Sequence, residues 1–236
     1  MVYWLSTDDP PDAFPAIGNS MEEPNGLIAA GGDLSTLRLL AAYERGIFPW
    51  YEEGQPVLWW SPDPRCVIYP DKVHIPRRLA RTISTTPFTL TANRAFEAVI
   101  DGCASPRRYT DATWITSAMR QAYVGLHTQG YAHSAEAWDG DSLVGGIYGV
   151  VMGRIFFGES MFSRARDASK ILLVKLAQAL QQAGFYCIDC QLPSPHLFSL
   201  GAELIPRDRF LALLPEYCSS QPEVSDWYRF FESHRD

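Results

Sequence analysis

The sequence contains no long hydrophobic run. No stretch of about 18 or more apolar residues occurs in its 236 residues, which argues against a membrane-spanning helix and a membrane partner. The first nine residues also lack the basic region and apolar core of a signal peptide, so we expect a cytoplasmic protein. With 47% hydrophobic and 20% charged residues, the composition is that of a globular protein with one large or two small domains.

Cysteine is scarce, with five irregularly spaced residues that argue against a disulfide framework. Cys187 and Cys190 are three positions apart in a predicted strand, so they would face opposite sides, and no second pair completes a zinc site. The chain also lacks a GxxxxGK loop, a strand–GxGxxG–helix unit and an HExxH sequence. These absences argue against a metal centre and against nucleoside triphosphate chemistry.

Charge is unevenly distributed. The net charge is −7, and residues 1–64 carry ten acidic and two basic side chains. Residues 65–81 reverse this balance, with one acidic residue, Asp71, and the basic residues Arg65, Lys72, Arg77, Arg78 and Arg81. A short basic stretch in an acidic protein is a candidate phosphate-binding patch, and a solvated linker is the alternative.

The order of predicted elements indicates an α/β (α+β) fold. Residues 1–33 have little periodicity and predict an extended, loop-rich start, followed by a helix that Ser35 caps and Gly46 ends. The proline-rich segment 62–64 predicts a boundary between a small N-terminal domain, residues 1–64, and a larger domain, residues 65–236. In the second domain, helices precede a hairpin of long strands, a central helix and further strands, which predicts a mixed sheet.

A strand–helix–strand unit from residue 155 to 191 carries three polar side chains in otherwise apolar strands, namely Glu159, Asp189 and Gln191. Alternation along a strand predicts one shared face for Phe157, Glu159 and Met161, and another for Cys187, Asp189 and Gln191. A buried carboxylate is costly unless it is paired or used, so this unit is a candidate site. In the structural alternative, Glu159 pairs with Arg164 or Arg166 and Asp189 accepts hydrogen bonds from a neighbouring loop.

Ten segments of the chain, taken in order, resemble the leucyl/phenylalanyl-tRNA–protein transferases. They are NGLIAAGGDLS at 25–35, RGIFPW at 45–50, WWSPDPR at 59–65, TWI at 113–115, HS at 133–134, LVGGIYG at 143–149, GESMFS at 158–163, ASK at 168–170, IDCQ at 188–191 and SLGA at 199–202. The resemblance implies a small N-terminal domain and a C-terminal GNAT acyltransferase-like domain with a mixed sheet. It implies transfer of Leu or Phe, and less well Met, from aminoacyl-tRNA to proteins with N-terminal Arg or Lys, which marks them for N-end rule degradation. No cofactor is implied, and a cytoplasmic monomer is expected.

The resemblance also implies roles for residues at matching positions. Asp189 and Gln191 match the proposed catalytic pair, and Glu159 beside them is the third candidate catalytic residue. The remaining implied residues are Trp50 and Trp114 for the 3′-terminal adenosine of the tRNA, Ile147, Phe156, Met161 and Ile188 for the transferred side chain, and Lys72, Arg77, Arg78 and Arg81 for the acceptor stem.

The chemistry that these residues suggest is attack by an N-terminal amine on an activated aminoacyl ester. Gln191 Oε1 would accept a hydrogen bond from the amine while Asp189 orients and polarises Gln191, or Asp189 would act through water as a general base. Two alternatives remain open at this point: a CoA-dependent N-acyltransferase and a non-catalytic tRNA-binding module. Residues 163–168 lack the glycine-rich turn expected for CoA, and a binding module gives no reason for the three buried polar residues.

Overall fold

The computed structural model describes residues 2–105, 115–222, 224 and 226–231. Its first sheet has four strands in the order β1-β2-β4-β3, with β1 parallel to β2 and the other pairs antiparallel. The strands are β1 (Tyr3–Leu5), β2 (Leu27–Gly31), β3 (Phe48–Pro49) and β4 (Leu58–Trp60). The predicted loop-rich start is thus wrong for β1 and β2, because strands this short depend on pairing with each other and show no period in the sequence.

The second sheet has seven strands and is mixed. Its strands are β5 (Arg65–Ile68), β6 (Thr89–Ala92), β7 (Ala132–Asp139), β8 (Ser142–Met152), β9 (Ile155–Ser163), β10 (Cys187–Gln191) and β11 (Glu203–Ile205). Their order is β11-β5-β10-β9-β8-β7-β6, in which only β9 and β10 pair in parallel. The α/β class with a mixed sheet is therefore confirmed.

Seven α-helices lie in the described part of the chain: α1 (Thr36–Glu44), α2 (Arg77–Thr85), α3 (Phe96–Ala104), α4 (Ser117–Thr128), α5 (Ala168–Gln182), α6 (Pro195–Phe198) and α7 (Arg207–Tyr217). The predicted helix signals are confirmed where α1 begins and ends: the Ser35 hydroxyl accepts a hydrogen bond from the Arg38 amide, and Gly46 adopts a φ of 69°. Among the described residues, none of the helices is both long and apolar enough to cross a membrane.

Apolar side chains cover both faces of the seven-stranded sheet. On one face, α1, α3 and α4 pack with the first sheet against β8 and β9, through residues such as Tyr43, Val99 and Phe157. On the other face, α5 packs through residues such as Leu172 against Phe156. The first sheet therefore shares a continuous core with the second, which brings α1 close to the middle of β9.

Candidate active site

A β-bulge interrupts β9 at the middle of the sheet. Ser160 pairs with Tyr148 and Gly158 pairs with Gly149, which leaves Glu159 as an extra residue. A bulge of one residue disturbs the alternation of the side chains that follow it. Glu159 therefore sits where the regular strand pattern is broken.

The bulge changes the face on which Met161 lies. Met161 packs with Ile147 and Phe156, whereas Phe157 packs on the opposite face of the sheet. The prediction that Phe157, Glu159 and Met161 share a face is wrong for Met161, because alternation by two holds only in a regular strand.

A second bulge lies in β10. Asp189 pairs with Val67 and Gln191 pairs with Cys66, so Cys190 is the extra residue. Gln191 itself has a φ of 62°, in the left-handed region. The regular alternation expected for this strand therefore ends at Asp189.

Asp189 forms a fully buried, bidentate ion pair with Arg65. Arg65 Nε lies 2.8 Å from Oδ1 and Nη2 lies 2.6 Å from Oδ2, and neither side chain is exposed to solvent. Arg65 Nη1 also donates to the carbonyl oxygen of Gly46 at 3.1 Å. The guanidinium lies between the rings of Phe48 and Phe210, at 4.9 and 4.7 Å from their centroids. Arg65 thus joins three parts of the chain around the Asp189 carboxylate.

The Arg65 contacts correct two expectations. The partner of Asp189 is the first residue of the adjacent strand β5, not a neighbouring loop. Arg65 is also buried, so it does not belong to the basic surface of residues 65–81. The sequence signal for the burial of Arg65 and for its pairing with Asp189 was a charged residue at the start of an apolar strand. A buried charge of this kind requires a buried partner.

Gln191 connects the two buried carboxylates. Its main-chain N–H donates to Asp189 Oδ1 at 3.0 Å, and its side-chain Nε2 donates to Glu159 Oε1 at 3.0 Å. Asp189 therefore contacts Gln191 through the backbone. Because Nε2 is directed at Glu159, Oε1 is the side-chain atom of Gln191 that can accept a further hydrogen bond.

Glu159 accepts hydrogen bonds from two buried tyrosines. Tyr43 of α1 donates to Oε1 at 2.7 Å and Tyr123 of α4 donates to Oε2 at 2.6 Å. The expected pairing of Glu159 with Arg164 or Arg166 is wrong, because the Glu159 side chain points into the core beneath α1 and α4. Tyr43 and Tyr123 were not predicted as site residues, since helical spacing marks a buried face without showing what it contacts.

The environment of Glu159 favours its neutral form. Burial raises the pKa of its carboxyl to about 7, and the nearby negative charge of Asp189 acts in the same direction. Hydrogen bonds from Tyr123, Tyr43 and Gln191 act against this rise. Burial and the Glu159 charge also raise the pKa of the Tyr43 and Tyr123 hydroxyls well above their usual value, so both remain proton donors.

A cavity of about 720 Å³ lies beside this network, and Glu159 is part of its wall. The four residues implied for a side-chain pocket all line it, together with Gly158, Cys190 and Leu173: they are Ile147, Phe156, Met161 and Ile188. The structure therefore brings together the apolar residues and one carboxylate at a single concave surface. In the described part of the chain, no three His, Cys, Asp or Glu side chains lie close enough together to hold a metal ion.

The other predicted residues lie away from this cavity or beyond the described residues. Trp50 is 41% exposed and packs against Trp60 at 5.7 Å between ring centroids. Trp114 lies outside the described residues. The predicted acceptor-stem residues are exposed, on a short 3-10 helix and on α2: they are Lys72, Arg77, Arg78 and Arg81.

A third buried carboxylate, Glu136 of β7, belongs to a different network. Its oxygens accept hydrogen bonds from the Thr91 and Ser134 hydroxyls, both at 2.5 Å, and from the main-chain N–H groups of Arg94 and Ala95, both at 3.4 Å. Glu136 does not line the cavity beside Glu159. It holds the segment that leads into α3.

Comparison with known proteins identifies the family to which this chain is similar. The model of the leucyl/phenylalanyl-tRNA protein transferase N-terminal domain matches residues 32–63, and that of the leucyl/phenylalanyl-tRNA protein transferase matches residues 67–215. The leucyl/phenylalanyl-tRNA–protein transferase of Pseudomonas aeruginosa is 54% identical over 226 residues, and that of Stutzerimonas stutzeri is 53% identical over 227 residues. Each alignment covers 96% of this chain and 99% of the relative.

Among solved structures, the C-terminal domain of a putative lysylphosphatidylglycerol synthetase from Agrobacterium fabrum aligns with 84% of this chain and 62% of that chain. Its sequence identity is 13% and its TM-score 0.38, values that support no conclusion. The sequence matches, however, define the class of this protein as a transferase enzyme. More particularly, the chain belongs to the leucyl/phenylalanyl-tRNA protein transferase family.

Proposed function

We propose that this protein transfers leucine or phenylalanine, and less well methionine, from aminoacyl-tRNA to the N-terminal amine of proteins that begin with Arg or Lys. The observation that carries this proposal is a cavity that has apolar lining residues and borders Glu159, the partner of Gln191, in a chain of this family. The product would be a degradation signal of the N-end rule pathway. The enzyme would act in the cytoplasm as a monomer and without a cofactor.

The cavity suits an apolar donor side chain. Ile147, Phe156, Met161 and Ile188 supply apolar surface, and none of them carries a charge. A site of this kind gains free energy from the apolar area that the ligand removes from water. Discrimination against β-branched side chains would have to come from the shape of the cavity, because hydrophobic contact alone distinguishes one methylene weakly.

The rest of the donor would lie outside the cavity. The adenosine would stack on Trp50 and Trp114, because flat indoles suit a base. The exposed cations Lys72, Arg77 and Arg78, together with Arg81, would contact acceptor-stem phosphates.

The chemical requirement is modest because the ester is already activated. The enzyme must hold the amine against the ester carbonyl and accept the proton that the ammonium loses. Gln191 Oε1 would accept a hydrogen bond from the amine, and the contact that directs Nε2 at Glu159 supports this role. The charge of Asp189 is compensated by Arg65, so Glu159 is the carboxylate that an acceptor cation would meet.

We also propose the two-domain division at residues 1–64 and 65–236, with a GNAT acyltransferase-like second domain. The gap between β4, which ends at Trp60, and β5, which begins at Arg65, supports the boundary. The order of an antiparallel β7-β8-β9 meander, helix α5 and a parallel β10 supports the GNAT-like arrangement.

The direct test is transfer of labelled leucine from Leu-tRNA to four peptides that differ only in their N-terminal residue: Arg, Lys, Asp and Ala. We expect label on the Arg and Lys peptides, without CoA or ATP. Phe-tRNA and Met-tRNA in parallel give the donor preference. Transfer to the Asp peptide would overturn the acceptor rule, and no transfer by folded protein would overturn the function.

A further inference from the structure

The two carboxylate oxygens of Glu159 and the hydroxyls of Tyr43 and Tyr123 form a closed ring with three short contacts. The Tyr43 hydroxyl lies 2.7 Å from Glu159 Oε1, the Tyr123 hydroxyl lies 2.6 Å from Oε2, and the two hydroxyl oxygens are 2.7 Å apart. Each contact requires one proton to be a hydrogen bond. When Glu159 is ionised, the tyrosines supply two protons for these three contacts. A proton on Glu159 Oε2 would complete the ring, because Oε2 would donate to the Tyr123 hydroxyl, Tyr123 to the Tyr43 hydroxyl, and Tyr43 to Oε1.

We propose that Glu159 is the group that takes the proton from the acceptor's N-terminal ammonium, and that Tyr43 and Tyr123 hold its carboxyl in place, donating to the carboxylate before the transfer and closing this ring after it. The inference rests on the proposed function. It makes Glu159 a catalytic residue and the two tyrosines positioning residues. Gln191 then holds the amine through Oε1 and Glu159 through Nε2.

The surroundings of Glu159 fit a proton acceptor. Glu159 is part of the cavity wall, and 9% of its surface is exposed. Among the residues that the structure describes, Tyr148 of β8 and Asp189 are the other titratable groups that interact with it, and the charge of Asp189 is compensated by Arg65. The Glu159 pKa of about 7 is close to the ordinary α-amine value of about 8, so proton transfer between them is nearly balanced.

Asp189 does not meet the same requirements. Both of its oxygens accept hydrogen bonds from the Arg65 guanidinium, and Oδ1 also accepts a hydrogen bond from the main-chain N–H of Gln191. Its side chain has no exposed surface. Protonation of Asp189 would leave the Arg65 charge buried without a partner. Asp189 therefore acts as a positioning residue that fixes the main chain at Gln191.

The proton balance of the reaction is complete. The ammonium loses one proton to Glu159 and becomes a neutral amine, which attacks the ester carbonyl carbon. The C–N bond forms, the bond from that carbon to the ribose oxygen breaks, and the oxygen takes the second proton from the attacking nitrogen. Glu159 then releases its proton to solvent.

The first test compares two acceptors that share an arginine side chain. One has the ordinary N-terminal amine, and the other has an aminooxy group in its place, which is uncharged at neutral pH and needs no base. We expect Glu159→Gln to lower kcat for the amine acceptor by roughly 100-fold, a typical contribution of general base catalysis. For the aminooxy acceptor, the loss should be only a few-fold. Equal losses with both acceptors would overturn the proposal.

The second test uses Tyr123→Phe, which keeps the carboxylate and removes one hydrogen bond that lowers the Glu159 pKa. The acid limb of the kcat profile, near pH 7 in the wild type, should move to higher pH because Glu159 becomes harder to ionise. Glu136→Gln, which alters the buried carboxylate of β7, should leave the limb in place. An unmoved limb in Tyr123→Phe would contradict the proposal. If the wild type transfers to the amine acceptor, either negative result overturns this inference alone and leaves the proposed function standing.

Discussion

Glu136 and Glu159 are buried glutamates on the same sheet, yet their surroundings differ. Glu136 accepts hydrogen bonds from two hydroxyls and two main-chain N–H groups, and it fixes the chain that enters α3. Glu159 lies in a bulge, accepts from two tyrosines and Gln191, and borders a cavity. Burial raises the pKa of both carboxyls. The difference is position: Glu159 borders the cavity, whereas Glu136 is fully buried away from it, so burial of a carboxylate does not by itself identify a functional site.

The largest expected effect on stability comes from Asp189, which is buried like Glu136 and Glu159 but is paired with a cation. Arg65→Met would leave Asp189 buried without its partner, which should lower the free energy of unfolding by about 3–5 kcal/mol. The double variant Arg65→Met/Asp189→Leu should recover most of that stability, because no unpaired charge remains. Urea unfolding of the three proteins measures both effects. Equal stability of the single and double variants would contradict the buried-pair explanation.

The next effect is the pH dependence that Glu159 adds to the free energy of unfolding. The Glu159 pKa is raised from 4.5 to about 7 on folding, so its contribution to stability is present below pH 4.5 and is lost as the pH rises through 7. The wild type should lose about 3 kcal/mol from this residue over that range, because each pKa unit is worth about 1.4 kcal/mol. Urea unfolding of Glu159→Gln should lack this component. An identical pH dependence in the variant would place the Glu159 pKa near its usual value.

A smaller effect is expected for Glu136→Gln. Replacing one carboxylate oxygen with an amide disturbs hydrogen bonds to Thr91 and Ser134 and should cost about 1–3 kcal/mol of stability. The rate of leucine transfer per folded molecule should stay the same, since this network does not line the cavity. Unfolding and transfer assays on one preparation give both numbers. A large fall in the transfer rate with little loss of stability would mean that Glu136 serves the reaction.

The smallest effect tests the cavity that distinguishes the two regions. Ile147 pairs with Ala135 across β7 and β8, and its side chain lines the cavity. Ile147→Phe should fill part of that space and lower phenylalanine transfer relative to leucine transfer by about tenfold, a typical effect of a change in pocket shape. Competition between Phe-tRNA and Leu-tRNA measures the ratio, and leucine transfer serves as the internal control. An unchanged ratio would argue that the side chain binds elsewhere.

Much of the fold could be predicted because its signals are local. Ser35 and Gly46 mark the limits of α1, and the period of two in residues 132–151 marks the hairpin of β7 and β8. The polar residues Glu159, Asp189 and Gln191 also stood out against their apolar strands. Strands β1 and β2 were missed because their stability depends on pairing, which three or five residues do not reveal.

The partners within the site could not be predicted because they come from distant parts of the chain. Arg65 is 124 positions from Asp189, and Tyr43 is 116 positions from Glu159. The bulges at Glu159 and Cys190 are equally hidden, since an extra residue appears only when strand pairs are in register. The position of Met161 on the cavity side depends entirely on the first of these bulges.

The most direct measurement is an infrared titration of the Glu159 carboxyl. Difference spectra between wild type and Glu159→Gln, taken from pH 5 to pH 9, isolate the C=O stretch of the protonated side chain. A band present at pH 5 and lost near pH 7, retained in Glu136→Gln and absent from Glu159→Gln, is the predicted result. A carboxyl already ionised at pH 5 would contradict the assignment of Glu159 as the proton acceptor.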